Sequence, residues 1–131
     1  MTHTQKLLEL AAQSINLVYE WKHDRYWGGE IGVVPQGYLR CWNPLDRDDD
    51  TVQLISELKL NVKFKQLHKR IWIRVTQLNS KSIKIFEPVE DDCRQAMRSA
   101  VVRAAAAIQQ LTLKNNRGTD NGNKQSSQIS V

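Results

Sequence analysis

Leu60-Asn61-Val62-Lys63-Phe64-Lys65-Gln66-Leu67-His68-Lys69-Arg70-Ile71-Trp72-Ile73-Arg74-Val75 alternates apolar and polar residues on both sides of a polar turn. Successive side chains of an extended chain point to opposite faces, so Leu60, Val62 and Phe64 face inward while Asn61, Lys63 and Lys65 face outward. Residues 66–69 turn the chain. Residues 70–78 then place Ile71, Ile73 and Val75 on one face and Arg70, Trp72, Arg74 and Thr76 on the other. A second turn at Asn79-Ser80-Lys81 leads into residues 82–87, where Ile83 and Ile85 oppose Lys84 and Phe86. Three consecutive strands predict an antiparallel meander, and Pro88 ends it because proline cannot donate to a central ladder.

Immediately upstream, Trp42-Asn43-Pro44-Leu45-Asp46-Arg47-Asp48-Asp49-Asp50 reads as a strand end, a turn and a helix start. Proline bars Asn43 from the helical region, and the dense carboxylates suit the positive end of a helix dipole. The helix is expected over residues 50–59, burying Val52, Ile55 and Leu58 with Leu54 at the edge, and with Asp48 or Asp50 as N-cap. Further back, Pro35-Gln36-Gly37 is a tight-turn signal that predicts a hairpin between 30–34 and 38–42. Residues 17–21 alternate as a strand, and the polar, glycine-bearing turn after them carries Tyr26 and Trp27. Residues 4–15 set Leu7, Leu8, Ala11, Ala12 and Ile15 at helical spacing, with Thr2 or Thr4 as N-cap.

Downstream, residues 91–113 carry the longest apolar stripe, Cys93, Met97, Ala100, Val101, Ala104, Ile108 and Leu111, and Glu90, Asp91 and Asp92 cap its start. Val102 and Ala105 lie beyond that stripe and suggest a homodimer interface. From Asn115 the composition turns to Asn, Gly, Ser, Gln and Thr without periodicity. The expected organisation is a single α+β domain over 1–114 and a disordered tail over 115–131. Its sheet would have about five or six short antiparallel strands, with three helices mainly on one face.

The 131 residues contain no apolar run long enough to span a membrane and no signal-peptide order, which predicts a cytoplasmic protein with no membrane partner. Cys41 and Cys93 are far apart and read as reduced core thiols. The net charge of +5 is concentrated: residues 59–84 hold eight Lys or Arg and no Asp or Glu. The outward face of the meander thus gathers Lys63, Lys65, Arg70, Trp72, Arg74, Lys84 and Phe86, with Tyr26 and Trp27 as neighbours. Cations beside aromatic rings suit an acidic protein surface, and they also suit nucleic acid or a nucleotide, whose phosphates and bases they would meet.

Signals for chemistry are weak. Asp46, Asp48, Asp50 and Glu57 have the carboxylate spacing of a calcium loop, but Thr51 stands where its turn needs glycine, and no helix precedes it. His3, His23 and His68 are not at metal-ligand spacing with another His or Cys. Phosphate-loop, nucleophile-elbow and zincin patterns are lacking, so no catalytic, metal or cofactor residue is assigned and the protein is expected not to be an enzyme.

Trp42-Asn43-Pro44-Leu45 followed by Asp48, Asp50, Leu54 and Leu58, and later Arg98-x-x-Val101-Val102-Arg103-Ala104-Ala105-Ala106-x-Ile108, resembles a group of small tailed-phage and prophage proteins similar to the domain-of-unknown-function family DUF2591. The opening Leu10-Ala11-Ala12 belongs to the same resemblance, which leaves the strands uncovered. The group often has Asp-Gly-Asp where this chain has Asp48-Asp49-Asp50, and an acid where it has Arg47, which weakens any ion-binding role there. The resemblance implies a phage-encoded accessory protein in a bacterial host, a class rich in non-enzymatic counter-defence inhibitors such as anti-CRISPR proteins. The expected partner is a host or defence-system protein with an acidic surface.

Overall fold

The computed structural model describes residues 2–22, 32–38, 40–78 and 80–121, the last five of these as backbone. The element order is α1 (His3–Ser14), β1 (Tyr19–Lys22), β2 (Gly32–Pro35), α2 (Asp48–Leu58), β3 (Leu60–Leu67), β4 (Arg70–Gln77), β5 (Lys84–Pro88) and α3 (Cys93–Asn121). It is an α+β fold of three helices and five short antiparallel strands in two small sheets, β1-β2 and β3-β4-β5. Helix α3 lies at the centre, packed against α1, α2, β4 and β5. Its alanines make that possible: Ala100, Ala104 and Ala105 are fully buried, so neighbouring backbones approach closely. Trp42, Leu54, Ile73, Val33, Val75, Val101 and Val102 fill the rest of the core. Among the described residues no helix is long and apolar enough to cross a membrane.

The meander forms as its alternation predicts. Leu67 pairs with Arg70 across a two-residue turn, and His68 and Lys69 both take positive φ (53° and 64°), the requirement of a type I′ hairpin turn. At the other end Lys59 adopts φ 55°, a left-handed C-cap that ends α2 and turns the chain straight into β3. Pro88 closes β5, an outer strand, where its missing N–H leaves no ladder bond unmade.

Five expectations are corrected. Residues 30–34 and 38–42 do not form a hairpin: β2 pairs with β1 (Tyr19↔Pro35 to Lys22↔Gly32), and Trp42 meets Val33 only as an isolated bridge. Trp42 is turned into the core instead, its indole Nε1 donating to Gln53 Oε1 at 2.9 Å. Helix α2 buries Thr51, Leu54 and Leu58, whereas Val52 is 56% exposed. The helix is rotated from the expected face because Asp50 is drawn inward, accepting from Asn43 N–H at 2.8 Å and from both Arg40 Nη atoms at 3.0 and 3.2 Å. Neither Asp48 nor Asp50 is the N-cap. That position is Arg47, which makes no side-chain cap bond.

Fourth, Cys93 is exposed at the first turn of α3, although Cys41 is buried as expected. Fifth, Val102 and Ala105 are fully buried within this chain, so they offer no homodimer surface. The broad buried face of α3 explains this: α1, α2 and the sheet all pack on it, so a single stripe understates it. Asp92 does cap the helix, accepting from Gln95 N–H at 3.1 Å. The helix itself runs to Asn121, seven residues into the segment that composition assigns to the tail.

Candidate partner-binding face

Residues directly opposite each other in an antiparallel ladder share a face, so the register decides which side chains meet. Lys63 pairs with Arg74 and Arg74 with Phe86; Lys65 pairs with Trp72 and Trp72 with Pro88. Thr76 pairs with Asn61 and with Lys84, and Leu67 with Arg70. The seven meander residues singled out from the sequence therefore occupy one side of the three-stranded sheet. The other side carries Val62, Val75 and Ile85 in one row and is covered by α3. Tyr26 and Trp27 lie outside the described residues.

Lys63, Lys65, Lys84 and Phe86 are exposed, and Trp72 and Arg74 are half-buried. Arg70 lies over the Trp72 ring, 5.7 Å from its centroid, and pairs with Glu90 at 3.0 Å. That cation is therefore partly neutralised and one face of that ring is already taken. Among the described residues no ion pair engages Lys63, Lys65, Arg74 or Lys84, and Arg74 Nε is buried without a hydrogen-bond partner. The face thus holds four cations with no carboxylate of the described residues against them. Phe86, 43% exposed, is its most open ring.

Sequence reasoning missed the apolar end of the β3–β4 hairpin. Phe64 and Ile71 sit on the helix-covered side as expected, yet they are 53% and 46% exposed, and Leu67 is 49% exposed. For Ile71 the cause is length, since β3 and β4 have eight residues each while β5 has five and pairs with β4 only from Trp72 onward; Phe64, level with Ile73 and Glu87, lies on the outer strand β3. The hairpin overhangs its support. The one signal for this was the difference in strand length, since the alternation itself is the same at both ends.

The acidic cluster at the start of α2 is engaged by side chains of the chain itself. Asp48 accepts from Arg98 Nη1 at 2.7 Å with Arg94 at 3.5 Å, Asp50 holds Arg40, and Asp46 accepts from Asn43. Hydrogen bonding to Asp50 keeps the Arg40 guanidinium above its ordinary pKa, and Arg40 also lies 5.5 Å from the Tyr38 ring centroid. Arg98 additionally donates to Leu45 C=O at 2.9 Å, tying α3 to the turn before α2. Among the described residues no group of three or more His, Cys, Asp or Glu side chains is placed to hold a metal ion. Compared with protein-family models, with curated proteins and with solved structures, the chain matches none.

Proposed function

We propose that this is a phage- or prophage-encoded accessory protein that acts in the bacterial cytoplasm by non-catalytic binding, a counter-defence inhibitor of the anti-CRISPR kind. It engages an acidic surface of a host or defence-system protein through the Lys63, Lys65, Arg74, Lys84 and Phe86 face. The observation that supports binding is the gathering of four cations, unmatched by any described carboxylate, on a sheet face whose reverse is packed into the core. An uncompensated positive face raises association rates with acidic partners and discriminates against basic ones. The phage setting is supported by the Trp42-Asn43-Pro44-Leu45 and Arg98 to Ile108 resemblance alone. A protein partner is favoured over nucleic acid because Trp72, the largest ring, is already stacked under Arg70 and half-buried, leaving Phe86 as the open platform for a base.

The test reverses charge where folding does not depend on it. Lys63→Glu, Lys65→Glu and Lys84→Glu together change only exposed side chains. The triple variant should keep the melting temperature of the parent and lose the complex that the tagged parent co-purifies from host cells. Retention of that complex by the folded variant would overturn the reading. A titration against single- and double-stranded DNA and RNA at two salt concentrations identifies the nucleic-acid alternative by its steep salt dependence.

A further inference from the structure

The two outer edges of the β3-β4-β5 sheet are unequal. Leu78 N–H bonds Lys59 C=O at 2.9 Å, and hydrogen-bonded pairs alternate along an antiparallel ladder. In the observed register this makes Asn61, Lys63, Lys65 and Leu67 the residues bonded to β4, and it turns the N–H and C=O of Val62, Phe64 and Gln66 away from the sheet. Among the described residues nothing pairs with that outer edge. On the opposite side Val89 N–H bonds Ile71 C=O at 2.8 Å, which turns the backbone of Lys84, Phe86 and Pro88 outward. Pro88 has no N–H to offer, Arg103 Nη1 donates to Phe86 C=O at 3.5 Å, and α3 packs on β5. That edge is closed, and among the described residues the edge at β3 stands open.

The geometry points to strand addition on β3, by an extended protein segment whose acidic residues alternate with apolar ones. This rests on the basic-face reading above and states how the partner is held. A strand laid on Val62, Phe64 and Gln66 would bond their free backbone groups, a mode of recognition in which the main chain supplies affinity and alternate side chains supply selectivity. Its residues beside Lys63 and Lys65 emerge on the basic face, where acidic groups complement them. Its residues beside Val62 and Phe64 emerge on the other side, where the Phe64 ring is half-exposed for want of a neighbour. A second copy fits less well, since antiparallel pairing of two such edges sets the Lys63 and Lys65 of each copy beside those of the other. A single-stranded nucleic acid has no peptide groups to complete the ladder.

The probes are synthetic peptides of about nine residues, long enough to lie along β3. One alternates glutamate and valine, a second segregates the same residues into two blocks, and a third alternates serine and valine. The full-length protein is titrated with each while amide hydrogen exchange is followed residue by residue. The alternating acidic peptide should bind at least about tenfold more tightly than either of the others, and slow exchange at Val62, Phe64 and Gln66 by about tenfold or more. Gln66→Pro removes an outward N–H without touching a bond to β4 or any cation, and should weaken that peptide at least about tenfold relative to Gln66→Ala. The exchange measurement on the unaltered protein stands whether or not the proline variant folds.

Equal binding of the alternating and block acidic peptides, both weakened by Lys63→Glu with Lys65→Glu and with no protection at Val62, Phe64 and Gln66, overturns strand addition while the basic-face reading survives. Equal binding of the glutamate and serine peptides with full edge protection overturns the acidic partner, and with it the basic-face reading, while strand addition survives. No binding of any peptide at about millimolar concentration overturns the proposal outright.

Discussion

Asp50 lies in the first turn of α2 and is 3% exposed, yet it makes its bonds backwards along the chain, to Arg40 and to the N–H of Asn43. Replacing it with alanine leaves that N–H without its acceptor and Arg40 without its partner. Asp50→Ala should cost about 2–3 kcal/mol, read as a lower denaturant midpoint at unchanged slope, and Asp50→Asn should recover part of it by keeping an acceptor for Asn43. Tyr19 gives a pH-dependent counterpart. Burial, and then the hydrogen bond its hydroxyl donates to Glu9 at 2.7 Å, raise its pKa above 10.0. The unfolded chain therefore loses the tyrosine proton first, so the stabilisation is whole below pH 10 and is lost as pH climbs through the folded value. Tyr19→Phe should lose less stability than the parent between about pH 9 and pH 11, measured by thermal melting. Neither role was legible in the sequence. Asp50 meets Arg40 ten residues away and Tyr19 meets Glu9 across a helix end, separations that carry no periodic signal.

At the scale of elements, the strands with one clean alternation and the helix with the longest stripe were legible, because burial on one face imposes a period that survives in the residues. Helix α2 was legible in place but not in rotation. Its apolar residues Val52, Leu54, Ile55 and Leu58 fit two neighbouring faces almost equally, and the buried Asp50 and Thr51 chose between them. The hydroxyl of Thr51, donating to Pro44 C=O at 2.6 Å, holds that choice. Leu54→Ala should destabilise by about 2–5 kcal/mol while Val52→Lys changes stability by less than about 0.5 kcal/mol, a contrast that chemical denaturation resolves directly. Pairing of β2 with β1 was hidden for a different reason: the Pro35-Gln36-Gly37 turn does form, with Tyr38 N–H on Pro35 C=O, but the chain beyond it is drawn into the core by Trp42. A turn signal fixes where a chain reverses and leaves open which strand it pairs with afterwards.

For the whole molecule, the candidate face was legible because strand phase and charge are both written residue by residue, and its open edge was not, because an edge is defined by which strands are absent beside it. The exposed position of Lys63, Lys65 and Lys84 makes any complex formed there sensitive to ionic strength. Raising salt from about 0.05 M to about 0.5 M should weaken it chiefly through slower association, visible in stopped-flow traces as a falling on-rate with a steadier off-rate. The period-two alternation of β3, β4 and β5 also separates two kinds of evolutionary freedom. On the helix-covered side Ile73 and Val75 are fully buried in the core that the α3 alanines line, where an added methyl has nowhere to go. On the basic side Lys63, Lys65 and Lys84 are exposed, so exchanging them leaves the core untouched. Substitutions can therefore accumulate on one side of three strands while the other side stays fixed.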